Sequence, residues 1–549
     1  MTGSAPPPAV YVHTPAHAAV SEVAKEAFAG VPEYQREADG TPDYLRMVLS
    51  THLYDLVKLT PLQQGTRLSA RLGCDIYLKR EDLQPVFSFK LRGAYNMMRQ
   101  LPENRRWKGV IACSAGTPRI KWENVQRLGA KVVFYGHNFD EAKAECHRLA
   151  HVHEIAEIPP FDHPQVIAGQ GTIGMEIGSQ IDLSTVDAIF CAVGGGGLLA
   201  GTAAYIKRVA PPHVKVIGVE TYDADALTQS LEQDRLVTLE EAGLFSDGTA
   251  VRIVGGECFR LCRGLVDGMV RVSNDEICAA IKDIFEDTRS ITEPAGALAT
   301  AGLKRYIMSL GAAAAGRRYV AVVSGANMNF SRLSFVTERA DMGEQKEVLL
   351  SVEIPDRPGS FLDLYNQIYP RDITEFSYRY SSAESAFLIA AFQLNGTVPR
   401  ENANPVVTST QGGEPEPGVS LRDREVAAIL GLMHKRGLVG SDISDNEMAK
   451  THARYMIGGR KRVPDERLFR FRFPERPGAL RKFLVGIDAG WNISLFHYRA
   501  QGGDVGKVLA GIQVPPETEG KFDAFLERLG YLYEEETHNP VYRRYLREE

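Results

Sequence analysis

No run of 18 apolar residues occurs in this chain of 549 residues, so no single helix is expected to span a membrane. Cysteine is sparse: there are seven, an odd number, with no Cys-x-x-Cys pair. That pattern argues against a disulfide framework and against a zinc site, and predicts a soluble protein in a reducing, intracellular setting that holds no metal. Long runs of one charge are also missing, since 63 basic and 69 acidic residues intermix to a net charge of -6. The basic stripe expected of a nucleic-acid binder is therefore absent, and small molecules are the expected partners. Before Arg36 there is one lysine, Lys25, and no arginine, while Glu22 and Glu26 add acid. A mitochondrial presequence should be arginine-rich and acid-poor, so no presequence is readable and residues 1–42 read as a disordered or loosely docked arm.

What the chain does have is 44% hydrophobic residues, ample for several cores in several domains. From 43 to 340, β-branched runs alternate with helical stretches: CDIYLKRE, GVIACSAG, AKVVFYG, DAIFCAVGGGG, VKVIGVE and RYVAVVSGAN. Parallel neighbours need crossovers of this kind, so the pattern predicts an α/β domain. A charged linker is expected at 341–347, after which the texture changes. LLSVEIPDRPGSFLDLYNQI from 349 and LFRFRFPERPGALRKFLVGI from 468 are copies of one another, followed by ITEFSYRY and NISLFHYRA. Two small βαββαβ modules are predicted at 348–450 and 466–549, the first carrying a flexible insertion at 395–420.

Three features carry candidate chemistry in the first half. Lys90 opens a helical run just after Phe87 and Phe89, aromatics that would strip its hydration and lower its pKa, as a Schiff-base lysine needs. An exposed helix lysine is the plainer reading. Gly194, Gly195, Gly196 and Gly197 join a strand to a helix, where bare amides favour a phosphate, although a flexible linker would look similar. Ser324 ends a strand at the edge where α/β sheets hold ligands, or else simply belongs to a turn.

An amine, a phosphate cradle and a strand-end hydroxyl are together the handholds of pyridoxal phosphate. With SFKLRGAYN, GGGGLLAG, TEPAGA and SGANMNF in this order, and with the tandem modules behind them, the chain from about 43 to 549 resembles the biosynthetic threonine ammonia-lyase (threonine dehydratase) family. The resemblance implies a fold type II pyridoxal phosphate domain, tryptophan synthase β-like, plus two ACT-like α+β domains. It implies that Lys90, beside Phe89, binds the cofactor as a Schiff base and removes the substrate's Cα proton. Gly194 to Gly197 with Leu198 would hold the phosphate, Ser324 would face the ring nitrogen, and Ser114, Ala115 and Gly116 would contact the substrate. A structural role for Glu293 in TEPAGA is as good a reading as one near the pocket. The implied reaction is deamination of L-threonine, and less well of L-serine, to give 2-oxobutanoate from threonine on the way to isoleucine. The implied assembly is a homotetramer, inhibited by isoleucine and relieved by valine, in mitochondria or plastids if the source is eukaryotic.

In each repeat a strand ends in Pro-acid-Arg-Pro-Gly before an amphipathic helix, whose N-terminal amides suit an amino-acid carboxylate. Phe376 and Tyr378, or Phe496 and Tyr498, lie on one face of the next strand and are candidates to pack an effector side chain. Core packing is the alternative, more so for the phenylalanines.

One join breaks the family pattern. Ser114, Ala115 and Gly116 are followed directly by TPRIKWENVQRLGAKVVFYG, where the family continues with Asn-His and a helix. About one helix and one strand, on the order of two dozen residues, are missing. Thr117 suits a cap, Pro118 a first helical turn, and Ile120, Val125 and Leu128 a partial apolar stripe. The remaining small subdomain is expected to close imperfectly. The alternatives are a transcript read without an in-frame segment, an impaired homologue that retains amino-acid sensing, and an active enzyme whose new loop does the missing work.

Overall fold

The computed structural model describes residues 9–16, 28, 30–114, 119–135, 139–355, 357–379, 385–396, 398, 420–446, 449–450, 462–474, 479–487, 490–499, 505–539, 542–543 and 546. The chain divides into two compact units, Met1–Gly343 and Glu344–Glu549. Their boundary falls inside the stretch read as a linker: residues 341–343 complete the helix Leu333–Gly343, and Glu347 already opens a strand.

In the first unit the strands are β1 (Val10–Val12), β2 (Leu62–Gln64), β3 (Asp75–Arg80), β4 (Val110–Ile111), β5 (Ala156–Glu157), β6 (Ala188–Ala192), β7 (Lys215–Thr221), β8 (Gly268–Val272) and β9 (Arg318–Val323). Seven form one sheet in the order β1-β8-β7-β6-β9-β3-β2. Its five central strands are parallel, and β1 and β2 pair antiparallel at the edges. The pairing of β1 with β8 places Val10–Val12, within the 1–42 arm, at the edge of the sheet.

Both faces are covered, which explains why these strands read as continuous apolar runs. Ile189 and Cys191 pack into one core with the helices Pro164–Gln180 and Gly197–Val209. Alternating with them, Ala188, Phe190 and Ala192 pack into the other, against Asn274–Thr288 and Pro294–Leu310. Glycine sets the closest helix approaches. A Cβ on Gly169 would lie 2.7 Å from the Arg92 carbonyl oxygen, and one on Gly201 would lie 2.3 Å from that of Ile167. The helix Lys90–Gln100 is thereby held tight against Pro164–Gln180, and that helix against Gly197–Val209.

Around the join, the outcome differs from the reading of AKVVFYG as a strand. A helix does form over Arg119–Arg127, and Gly129 at φ +92° ends it. Residues 130–135, however, take no regular structure. The one remaining crossover does not return this run beside β4, which pairs in parallel with β5 instead. Leu128 (71%), Phe134 (70%) and Trp107 (76%) are consequently exposed, as are Val133 and Tyr135. The Val125 and Leu128 stripe finds no partner surface that buries it.

The second unit contains β10 (Glu347–Pro355), β11 (Ile373–Arg379), β12 (Ser385–Gln393), β13 (Val439–Asp442), β14 (Glu466–Pro474), β15 (Asn492–Arg499), β16 (Val505–Gln513) and β17 (Leu532–Glu535). They make one antiparallel sheet, β13-β10-β12-β11-β15-β16-β14-β17, in which the two βαββαβ copies meet at β11 and β15. The copies agree in detail. A register shift falls between Ile373 and Glu375 in the first and between Ile493 and Leu495 in the second. Thr374 donates to Glu347 in one, and Ser494 to Glu466 in the other. Of the 395–420 insertion, only residues 395, 396, 398 and 420 are described.

Candidate active site

The motifs of Lys90 and Ser324 lie far apart in sequence and are stitched together by backbone. Phe89 N–H donates to the Ser324 carbonyl at 3.1 Å, Ala326 N–H donates to the Phe87 carbonyl at 2.9 Å, and Ser88 bridges Gly325. Asn327 Nδ2 adds a bond to the Val86 carbonyl at 2.9 Å. These bonds hold Phe87 at φ +55°, a conformation a bulky residue adopts only under such constraint. Lys90 then begins its helix at the carboxyl end of the parallel sheet, where α/β folds place ligands.

Lys90 Nζ donates to the Gly248 carbonyl at 3.3 Å. Its side chain remains open to solvent while protein crowds round it, and this loss of hydration is the main influence lowering its pKa. Lys121 lowers it further, and Glu293 and Asp247 oppose. The expectation that flanking aromatics strip its hydration needs correction: Phe87 is 50% exposed, and Phe89 packs into the core beneath. A lowered pKa leaves more of the amine neutral, the form that acts as nucleophile and base.

The four glycines follow β6 and reach the same loop. Gly194 stands against Thr249, the neighbour of the residue that Lys90 touches. A Cβ on Gly195 would fall 2.1 Å from the Phe161 ring, and Gly196, at φ +93°, would put one 2.9 Å from Cys258 Cβ. The loop itself therefore carries no side chain over the backbone at the start of Gly197–Val209, although Phe161 and Cys258 pack against it, and Leu198 is buried behind it. Ser324 is buried, with its hydroxyl donating to the Ala295 carbonyl at 3.1 Å.

Three residues of this cleft were not singled out by sequence: Asp247, Lys121 and Arg332. Lys121 Nζ lies 2.8 Å from Glu293 Oε2 and 3.1 Å from Asp247 Oδ2, and Arg332 Nη1 lies 3.1 Å from Asp247 Oδ1. Nothing local marks them; Asp247 sits in a Ser-Asp-Gly-Thr run that reads as an ordinary turn. Of the predicted substrate contacts, Ser114 is exposed just before the join, and Ala115 and Gly116 lie outside the described residues, as does the join itself.

The effector candidates are brought together, but as core. Phe376 pairs across the strands with Tyr498, and Tyr378 with Phe496. Phe376, Tyr378 and Phe496 are buried around Phe361, whose ring centre is 4.7 Å from that of Tyr378 and 5.3 Å from that of Phe376. Tyr498 is half-buried against the same core. Their burial is the core packing given above as the alternative, since cross-strand pairing sets these rings side by side on one face. A small cavity of about 10 Å³ lies beside them, lined by Arg357, Gly359 and Phe361 of the first copy and Leu484, Ile487 and Trp491 of the second.

Comparison with known proteins agrees with this architecture. A family model described as pyridoxal-phosphate dependent enzyme matches residues 53–118 and 115–325, so its match breaks in two at the join. A second, the C-terminal regulatory domain of threonine dehydratase, matches 338–402 and 458–546. The mitochondrial threonine dehydratase of Schizosaccharomyces pombe is 52% identical over 541 residues, covering 94% of this chain and 86% of the relative. That of Saccharomyces cerevisiae is 49% identical, covering 93% and 90%. The processed form of threonine deaminase isoform 2 from Solanum lycopersicum superposes with a TM-score of 0.54 at 39% identity, covering 62% of this chain and 94% of that one. The chain belongs to the threonine dehydratase family of pyridoxal-phosphate dependent enzymes and carries that family's C-terminal regulatory domain.

Proposed function

We propose that this protein deaminates L-threonine to 2-oxobutanoate and ammonia with pyridoxal phosphate, as the committed step toward isoleucine, and that its second unit senses amino acids. The convergence of Lys90 and the glycine loop on adjacent residues, Gly248 and Thr249, carries this reading. The cleft suits the cofactor: a primary amine of lowered pKa, a backbone cradle that any Cβ would fill, and a buried hydroxyl at the strand end. Bound there, pyridoxal phosphate supplies the electron sink that renders the substrate's Cα proton acidic.

Lys90 Nζ would hold the cofactor and then take the Cα proton, as its weakened basicity permits. The amides of Gly194 to Gly197 and Leu198 would hold the phosphate at the helix N-terminus. Ser324, a hydroxyl where a carboxylate would enforce ring protonation, suits loss of the β-hydroxyl. L-Serine would be a lesser substrate, because one methyl group is worth only about 1–3 kcal/mol. A regulatory homologue without catalysis is the less favoured reading, since Lys90, the glycines and Ser324 all lie outside the join.

Isoleucine, and valine in opposition, would bind at this seam between the copies, whose small cavity would have to widen to admit them. Arg357 and the amides beginning Ser360–Ile368 suit the carboxylate, and Phe361, Leu484, Ile487 and Trp491 the aliphatic chain. A homotetramer, which light scattering would test, and a mitochondrial setting, as named for the two yeast relatives, complete the reading.

The deciding experiment is spectroscopic and catalytic together. The purified protein should show a visible cofactor band that Lys90→Ala abolishes, and should release 2-oxobutanoate from threonine. A band that survives Lys90→Ala would sink the assignment of Lys90, and absence of product would return the regulatory reading.

A further inference from the structure

The helix that follows the join delivers a cation to the cleft. We propose that Lys121 binds the α-carboxylate of the amino-acid substrate, a proposal that rests on reading the Lys90 cleft as the cofactor site. Its ammonium bridges two walls. Asp247, 3.1 Å away, precedes the Gly248 carbonyl that receives Lys90 Nζ. Glu293, 2.8 Å away, caps Pro294–Leu310, and its amide donates to the carbonyl of Gly325, next to Ser324. Lys121 thus stands between the loop touched by the candidate base and the turn bearing the candidate ring partner.

An ammonium has three N–H groups; one donates to Asp247, and the ion pair with Glu293 occupies a second direction outside hydrogen-bond geometry. The side chain is 21% exposed, so a solute can reach the third. Glu293 and Asp247 outweigh the cost of burial and keep Lys121 protonated. Arg332 shares Asp247, so two cations balance two anions and the cleft carries no net negative charge to repel a carboxylate. A carboxylate gains from such a partly buried, charge-assisted contact what it would not gain at an open surface. The helix Arg119–Arg127, the first element after the join, presents this residue from its first turn.

The test uses the full-length protein loaded with pyridoxal phosphate and two amines that lack a β-hydroxyl and so are not consumed by elimination: L-alanine, and ethylamine, which lacks the carboxylate. Each is titrated against the visible spectrum. In Lys121→Met the Kd for L-alanine should rise about tenfold, that for ethylamine should stay within twofold, and Lys121→Arg should recover most of the loss. The KM for threonine should rise in parallel. Unchanged L-alanine affinity, equal weakening of both amines, or tighter L-alanine binding from removal of a plug would each overturn the proposal. Should Lys121→Met not fold, the same ratio measured in Lys121→Gln decides it. Failure of the underlying reading looks different: the unmodified protein would then lack a Lys90-dependent band, and this proposal would fall with it.

Discussion

Arg92 lies two residues beyond Lys90, and Arg92→Met tests what holds that helix in place. Its Nε and Nη2 donate to the two oxygens of Glu81, each at 2.7 Å, and Nη1 donates to Glu176 at 2.7 Å and Thr172 at 3.0 Å. Lys79 pairs with the other oxygen of Glu176 and donates to the Thr60 carbonyl at 2.6 Å. None of these four charged side chains is more than 1% exposed, and together they are neutral. Methionine fills much of the arginine stem's volume but leaves one buried negative charge unbalanced. Breaking such a pair costs about 3–5 kcal/mol. At about 1.4 kcal/mol per tenfold, amide exchange in Pro164–Gln180 should accelerate by two to three orders of magnitude. Hydrogen exchange read by mass spectrometry is the right assay, because a melting midpoint for two units mixes their transitions. Peptides from β10 to β17 serve as the internal control. Arg92→Met/Glu81→Gln, which restores neutrality, should recover at least half of the loss. Acceleration below about tenfold, or a double variant worse than the sum of its parts, would refute the claim that this network is dry and mutually supporting.

Gly169→Ala should destabilise the first unit by about 1–2 kcal/mol in the same assay, since overpacking at the Arg92 carbonyl outweighs the roughly 1 kcal/mol that alanine gains in a helix. Burial acts to raise the Glu176 pKa, but Arg92 and Lys79 prevail and hold it below 4.5. The resulting stability is therefore present above about pH 4.5 and lost as pH falls through the folded-state value; Glu176→Gln should flatten the acid side of a denaturation series. Arg357→Ala should weaken isoleucine inhibition about 5- to 150-fold, the span of ordinary allosteric coupling; unaltered inhibition would place the effector elsewhere.

How much was legible depended on whether the cause was local. β6, β7 and β9 were readable because strands buried on both faces carry uninterrupted apolar runs bounded by glycine or polar residues. β1 and β8 were missed: Val10–Val12 is too short to signal anything, and GMVRV in β8 carries an arginine whose charge is met by distant Asp225 and Glu232. AKVVFYG was misread because its composition says strand while its missing neighbours say otherwise. Phe376 and Tyr378, or Phe496 and Tyr498, were readable as sharing a face, but not that Tyr378 would lie opposite Phe496 and Tyr498 opposite Phe376.

By itself the sequence determined the chemistry on offer and the order of its parts. An amine, four bare amides and a hydroxyl are properties of residue types, and the repeat is a property of spacing. Tertiary structure alone decided that Phe89 and Ser324 share a backbone hydrogen bond, that Gly194 stands beside the residue next to Lys90's partner, and that Lys121 enters the cleft. The reason is that a site's electrostatics depend on distances between residues far apart in the chain. Those distances are set by how parallel strands and close-packed helices bring their ends together, which no local pattern encodes.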